Sequence, residues 1–447
     1  MTKKNPILTG TLILTGAGLI TRLIGFFNRI YLSQLIGAKE MGIYQLIFPV
    51  YMVAFSLCCH GMELALSQMV AEFFAKKKKN AVKPLILTAS ILSIALAFLL
   101  SFVIYTYADK ISLYILNEKS CSLCLQIMAP VLPFTALRCC LHGYYIGLKK
   151  TGVPALGQLI EQITRVAAIW LISGQYIINA DFIKPDASLA VIGMVTGEIF
   201  GTLFTFLCYE IESKKLAKSK IDLCGRVSLC KDILKRAIPL TGNKLSLTLV
   251  SSLESILIPH MLTFFYKDKS LAISMYGVLT GMSLPFVMFP STITNSLSMM
   301  LLPAISEDNA LGNQKQIRRT IEKTIKLCLT LGFMALFFFF FFGKQLGTYV
   351  FHNPSAGDFL LILSFLCPFL YLSSSGTSIL NGLGLMKNAF FYNLIGLMIR
   401  ILFIVGAVPI MGIQGYLVGL LAAYGVMVGL QLKKLNGFCK NFVQKLH

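Results

Sequence analysis

Charge is scarce in this chain, and acidic charge most of all. Only 13% of the 447 residues are charged, with 19 Asp or Glu against 40 Lys or Arg. A soluble chain carries roughly a quarter charged residues. With 56% hydrophobic residues and a mean hydropathy of +0.75, a set of soluble domains is excluded. A nucleophile–base set, a phosphate-cradling glycine loop and a metal cluster are all missing, which argues against an enzyme. A cleavable signal peptide is missing too. The first apolar run continues from Ile7 to Gly37, too long for a signal core, and reads as a permanent span.

What is present is a series of apolar stretches, each long enough to cross a ~30 Å hydrocarbon core. They fall at about 8–36, 42–74, 84–107, 121–147, 153–175, 188–210, 233–262, 271–303, 323–343, 358–383, 389–410 and 412–432. The expected fold is therefore an all-α polytopic membrane protein of about twelve transmembrane helices. Several stretches exceed the crossing length and predict tilted or protruding helices.

The net charge of +21 suggests nucleic acid until its distribution is read. With the N-terminus inside, 26 basic residues fall in inner segments and 7 in outer ones. That bias obeys the positive-inside rule and predicts cytoplasmic N- and C-termini. The run Lys76 to Lys79 then reads as an anchor beside anionic lipid headgroups, and nucleic acid is not an expected partner.

Twelve cysteines do not form a disulfide framework. Most fall inside spans, where cysteine behaves as a small apolar residue. The pair Cys121-x-x-Cys124 lacks a second ligand pair at zinc-like spacing, so helical packing is favoured over a metal or redox role. No cofactor or metal is expected.

The chain halves around a basic linker. Six spans precede residues 211–232 and six follow, giving expected lobes 1–210 and 233–447. The halves share a weak repeat: Pro133-Phe134 meets Pro368-Phe369, Gly147 meets Gly382 and Arg165 meets Arg400, all at an offset of 235. An even number of spans per half makes the repeats parallel, which is a transporter architecture. The run Phe337 to Phe342 has no partner in the other half and reads as lipid-facing bulk.

Seven basic residues remain inside spans: Arg22, Arg29, Arg138, Arg165, Lys244, Lys326 and Arg400. Against them stand Glu63, Glu161, Glu198 and Glu254. An ionised side chain at mid-bilayer costs at least ~2.5–3.5 kcal/mol, so these groups must pair, snorkel or line a wet cavity. Arg22 and Arg29 share a face of the first helix, about 10.5 Å apart along its axis. Either Arg29 snorkels and Arg22 meets a glutamate elsewhere, or both face an aqueous cavity and grip an anionic group. Guanidinium suits the second role because its planar fork binds phosphate oxygens and keeps its proton. Arg165 has Glu161 one turn before it, so an ion pair and a cavity role stand level. Arg400 has no acidic residue in its own helix and is the better cavity candidate. Lys244 lies two turns past Arg236, within possible reach of the inner surface. Glu63, Glu254 and Glu161 are expected to compensate charge or to couple an ion. Gly10, Gly16, Gly18 and Gly25 permit close helix packing. Pro49, Pro133, Pro285, Pro290 and Pro368 permit broken helices around a cavity.

The stretches Thr21-Arg-Leu-Ile-Gly-Phe-Phe-Asn-Arg29, Leu35-Ile-Gly-Ala-Lys-Glu-Met-Gly-Ile-Tyr-Gln-Leu46 and Gly61-Met-Glu-Leu-Ala-Leu-Ser-Gln-Met-Val-Ala-Glu72 resemble the stage V sporulation protein B family. So do Ala237-Ile-Pro-Leu240 and Leu253-Glu-Ser-Ile-Leu-Ile-Pro259. These are polysaccharide-type flippases of the multidrug/oligosaccharidyl-lipid/polysaccharide (MOP) exporter superfamily, which includes the MATE and MurJ types. The resemblance implies two six-helix lobes around a central cavity that opens alternately to either side. It implies a lipid-linked saccharide substrate of the polyprenyl diphosphate type, such as a cell-wall or spore-cortex peptidoglycan precursor. A bacterial cytoplasmic membrane location and a functional link to the cell-wall synthesis machinery follow from the same likeness. Flippases of the MurJ type use cavity arginines on the diphosphate, and Arg22 sits at the matching position. Gln68 and Glu63 depart from the family pattern, and the extra helix pair of fourteen-helix members is not among the twelve spans. The alternative is a cation-coupled multidrug exporter of the MATE type, for which a basic cavity has the wrong sign.

Overall fold

The computed structural model describes residues 6–77, 79–178, 185–214 and 223–443. Residues 215–222 of the basic linker, Lys78, residues 179–184 and the chain ends lie outside these. Every regular element among the described residues is helical, as expected where a bilayer offers the backbone no hydrogen-bonding partner. The N-terminal half contains α1 (Pro6–Phe55), α2 (Gly61–Ala75), α3 (Val82–Thr106), α4 (Ala108–Lys110), α5 (Cys121–Met128), α6 (Leu132–Gly147), α7 (Gly152–Ile178) and α8 (Ala187–Ser213). After the linker come α9 (Leu223–Tyr266), α10 (Lys269–Gly277), α11 (Leu284–Met288), α12 (Ser291–Ala310) and α13 (Gln314–Phe351). The chain closes with α14 (Pro354–Ser364), α15 (Cys367–Gly382), α16 (Met386–Gly406), α17 (Val408–Met411) and α18 (Ile413–Val443).

Ten of the described helical runs are long and apolar enough to cross a membrane, and eleven with the bent pair α14 and α15, which meet at 59°. The first run, Gly18–Ala75, has 58 residues and would span ~87 Å at 1.5 Å per residue. It is broken at Gly37, whose φ of 79° and ψ of 177° leave the helical region. Counted as two crossings it brings the total to the expected twelve. Two helices outrun their apolar stretches: α9 has 44 residues and α13 has 38.

Proline placement explains most of the breaks. Pro133 and Pro368 sit in the first turns of α6 and α15, where a missing N–H leaves no helical bond unmade. These starts, Leu132 and Cys367, keep the 235-residue offset of the sequence repeat. Pro285 opens α11 after a π-helical stretch at Val278–Ser283, and Pro290 caps α12. Pro49 lies inside α1, seven residues before a second π-helical stretch at Ser56–His60.

The contacts divide the chain into two compact units. One takes residues 1–28 and 43–256, the other 29–42 and 257–447. The core of the first joins α2, α3 and α6 through Leu66, Met69, Leu85, Ile86, Tyr144 and Tyr145. Close approach of α6 to α2 rests on two glycines. A Cβ at Gly143 would lie 2.6 Å from the Glu63 carbonyl, and one at Gly147 2.7 Å from that of Ser67. The core of the second joins α12, α13 and α15 through Leu301, Ile305, Ile317, Ile321, Ile379 and Leu380. Cys121 and Cys124 are buried in α5. In the phenylalanine run five rings are exposed, but Phe339 is only 1% exposed and belongs to the packed face of α13.

Candidate functional site

The first unit carries a buried cluster of charge. Arg138 extends from α6, Glu161 and Arg165 from α7, and Glu198 from α8. The three helices meet because α8 presents Gly193, Gly197 and Gly201 at four-residue intervals, the small-residue spacing that brings membrane helices together. A Cβ at Gly197 would stand 2.6 Å from the Glu161 carbonyl, and one at Gly201 3.0 Å from Glu161 Cβ and 3.3 Å from Arg138 Nη1. The glycines thus set the helix separation at which the charged side chains meet.

Arg138 spans two carboxylates. Its Nη1 donates to Glu161 Oε2, and its Nη2 lies 2.7 Å from Glu198 Oε2 and 2.8 Å from Oε1. Arg165 Nη2 donates to Glu161 Oε1 at 2.5 Å. Thr135 Oγ1 donates to Glu198 Oε2 at 3.4 Å and lies 3.5 Å from the Tyr51 hydroxyl. Two guanidinium groups face two carboxylates, so the cluster is neutral and its buried charges offset one another. His142, one turn past Arg138, is buried, and its Nε2 has no hydrogen-bond partner among the described residues.

The sequence-predicted residues divide between this cluster and other places. Of the two roles left open for Arg165, the ion pair with Glu161 is formed. Glu63 is half-buried in α2 and feels the Arg138 charge. Glu254 is buried in α9. Arg22 is outside the cluster. It is exposed, and no carboxylate of the described residues is within ion-pair distance of it. On α1 it occupies one face with Gly18, Gly25 and the half-buried Arg29, at i−4, i+3 and i+7. Ile20 and Phe27, 50% and 64% exposed, lie on the opposite side. Arg400 on α16 is half-buried, its guanidinium carbon 5.8 Å from the centre of the Tyr424 ring on α18. Arg138 and Glu198 were visible in the sequence as charges inside spans but had no assigned role. The glycine triplet flanking Glu198 was the signal that could have paired them across helices.

Chemically, the cluster ties three helices together and leaves no net charge to offer a ligand, whereas Arg22 presents donors that no carboxylate of the described residues claims. The chain matches the model of the family described as polysaccharide biosynthesis protein over residues 7–309, and the MatE model over residues 270–405. It is 26% identical to stage V sporulation protein B of Bacillus subtilis (strain 168) over 438 residues, covering 97% of this chain and 83% of that protein. Its fold is similar to that of lipid II flippase MurJ in an inward closed conformation. There the TM-score is 0.71 at 17% identity, covering 95% of this chain and 87% of the other. The inward-facing form of a multidrug resistance MATE family transporter gives a TM-score of 0.69 at 13% identity, covering 97% and 99%. The chain belongs to the polysaccharide biosynthesis protein family, and with it to the MOP superfamily of membrane flippases and transporters.

Proposed function

We propose that the protein is an alternating-access flippase that carries a lipid-diphosphate-linked saccharide outward across the bacterial cytoplasmic membrane. The observation that carries this reading is Arg22, an exposed guanidinium on a membrane helix with no carboxylate among the described residues to neutralise it. A charge so placed is expensive against lipid and suited to a phosphate oxyanion. Arg29 extends the same face, and Arg400 supplies a third guanidinium. Arg165 contributes through its pair with Glu161, while Glu63 and Glu254 compensate charge or couple an ion. The charge bias supports cytoplasmic termini, and the sequence repeat supports two parallel six-helix lobes, 1–210 and 233–447, joined by the linker 211–232. The likeness to stage V sporulation protein B and to a lipid II flippase favours a cell-wall or spore-cortex precursor as cargo and a link to the machinery that consumes it. Inside-negative potential would assist outward movement of an anionic lipid by ~2.3 kcal/mol per charge per 100 mV.

A multidrug exporter of the MATE type needs carboxylates for organic cations. Glu161 and Glu198 are already held by Arg138 and Arg165, which weighs against that reading. The test is translocation of a fluorescent polyprenyl-diphosphate saccharide in proteoliposomes. Arg22→Ala and Arg29→Ala should abolish it while membrane insertion persists, and unimpaired flipping in both would overturn the cavity role.

A further inference from the structure

We infer that Lys244 on α9 is a second contact for an anionic group of the transported head, an inference that rests on the flippase reading above. The lysine is exposed and has no ion pair with any described residue. On the charge bias the inner surface falls near Arg236 of α9, which lies 2.7 Å from Glu72, itself also paired with Lys76. Lys244 is eight residues further on, ~12 Å deeper along the helix, beyond the span of a four-carbon stem.

The rest of α9 says which way it points. Lys244, Thr248, Ser251 and Ser255 follow the i, i+4, i+7, i+11 spacing of one helix face. Ile238, Leu249 and Leu253, 64%, 49% and 49% exposed, share the opposite face, which suits lipid. The polar stripe therefore lies on the side of α9 turned away from these apolar side chains. It is seated there by the joint between α1 and α2. Gly61 admits α9 so closely that a Cβ would strike Thr241 Oγ1, and Ser56 Oγ donates to Thr248 Oγ1 at 3.0 Å. Ser56 and His60 bound the π-helical stretch of that joint, a distortion frequent at functional sites. His60, the last residue of that stretch, is half-buried, and the Lys244 charge acts on it across the joint. This chemistry takes an oxyanion, either a phosphate of the diphosphate or a carboxylate of the saccharide portion.

The experiment uses the full chain in proteoliposomes with two polyprenyl-diphosphate lipids, one bearing a neutral saccharide and one a uronic acid. Lys244→Met should slow translocation about tenfold or more, the loss of one charge-assisted contact, and Lys244→Arg should retain it. Slowing confined to the acidic lipid identifies the carboxylate as the partner, and slowing of both identifies the diphosphate. As a control for folding, Lys244→Cys is inserted first and its thiol is then modified. An aminoethyl methanethiosulfonate should restore transport, and a sulfonatoethyl reagent should not, relative to the wild-type chain treated alike. Wild-type rates in Lys244→Met on both lipids would overturn the inference. Full activity in both Arg22→Ala and Arg29→Ala would instead overturn the reading beneath it, so the two failures are separable.

Discussion

Arg138 Nη2 lies 2.7 Å from Glu198 Oε2 across the contact of α6 and α8, while the other end of the same guanidinium holds Glu161. One side chain therefore pairs with carboxylates from two further helices. Breaking a buried pair by removing one partner costs about 3–5 kcal/mol, because the remaining charge is stranded. Arg138→Met should lower the thermal midpoint in detergent and the yield of inserted protein. Arg138→Lys should recover little, since an ammonium cannot fork to two carboxylates. The double variant Arg138→Met with Glu198→Gln should regain part of the loss. A double variant no better than the single would show that stranded charge is not the cause.

The separation of α7 and α8 is set by glycine. Gly197→Val should destabilise the fold strongly, because its Cβ would sit 2.6 Å from the Glu161 carbonyl, and overpacking of this kind costs roughly 1–3 kcal/mol or more. Gly242, in the same unit, has nothing within 4 Å of where a Cβ would stand, and alanine there gains helix propensity of up to about 1 kcal/mol. Gly242→Ala should thus leave thermal stability unchanged or raised. Equal melting of Gly197→Val and wild type would remove the glycine stripe as the determinant.

Gly37 poses a different constraint. Nothing lies within 4 Å of its Cβ position, so space is not the issue. Its φ of 79° and ψ of 177° fall in a region that is essentially open only to glycine, costing other residues about 1–3 kcal/mol. Gly37→Ala should lower stability by that amount without any steric clash, and Gly37→Asn should fare no better than alanine. A neutral Gly37→Ala would mean that the break tolerates a rearranged backbone.

The helices were legible because lipid leaves the backbone few choices. Apolar length located the crossings, and the gap between the stretches 8–36 and 42–74 falls at the break at Gly37. The Glu161–Arg165 pair was legible because an i, i+4 spacing on one helix needs no tertiary knowledge. Arg138 and Glu198 lie 60 residues apart, and their meeting depends on how α6, α7 and α8 pack, which composition does not encode. Helix ends were obscured for a related reason. Hydropathy sees only residues 233–262 of α9, whereas its helix runs back through Lys231 to Leu223. Phe339 shows the same limit in small: six identical side chains carry no periodicity, so only packing separates the buried ring from its exposed neighbours.

Arg400 offers the last test. Its guanidinium lies over Tyr424, an arrangement worth about 0.5–1 kcal/mol in exposed sites and ~2 or more when desolvated. The ring attracts the cation through its π face, so on the proposed reading Tyr424 orients Arg400 towards the head group. Tyr424→Phe keeps the face and should keep transport of the polyprenyl-diphosphate lipid. Tyr424→Leu removes it and should raise the half-saturating lipid concentration several-fold while insertion and thermal midpoint stay near wild type. Arg400→Ala should go further and reduce the maximal rate as well. If Tyr424→Leu transports normally while Arg400→Ala fails, the arginine acts without help from the ring; if both transport normally, Arg400 has no part in binding the head group.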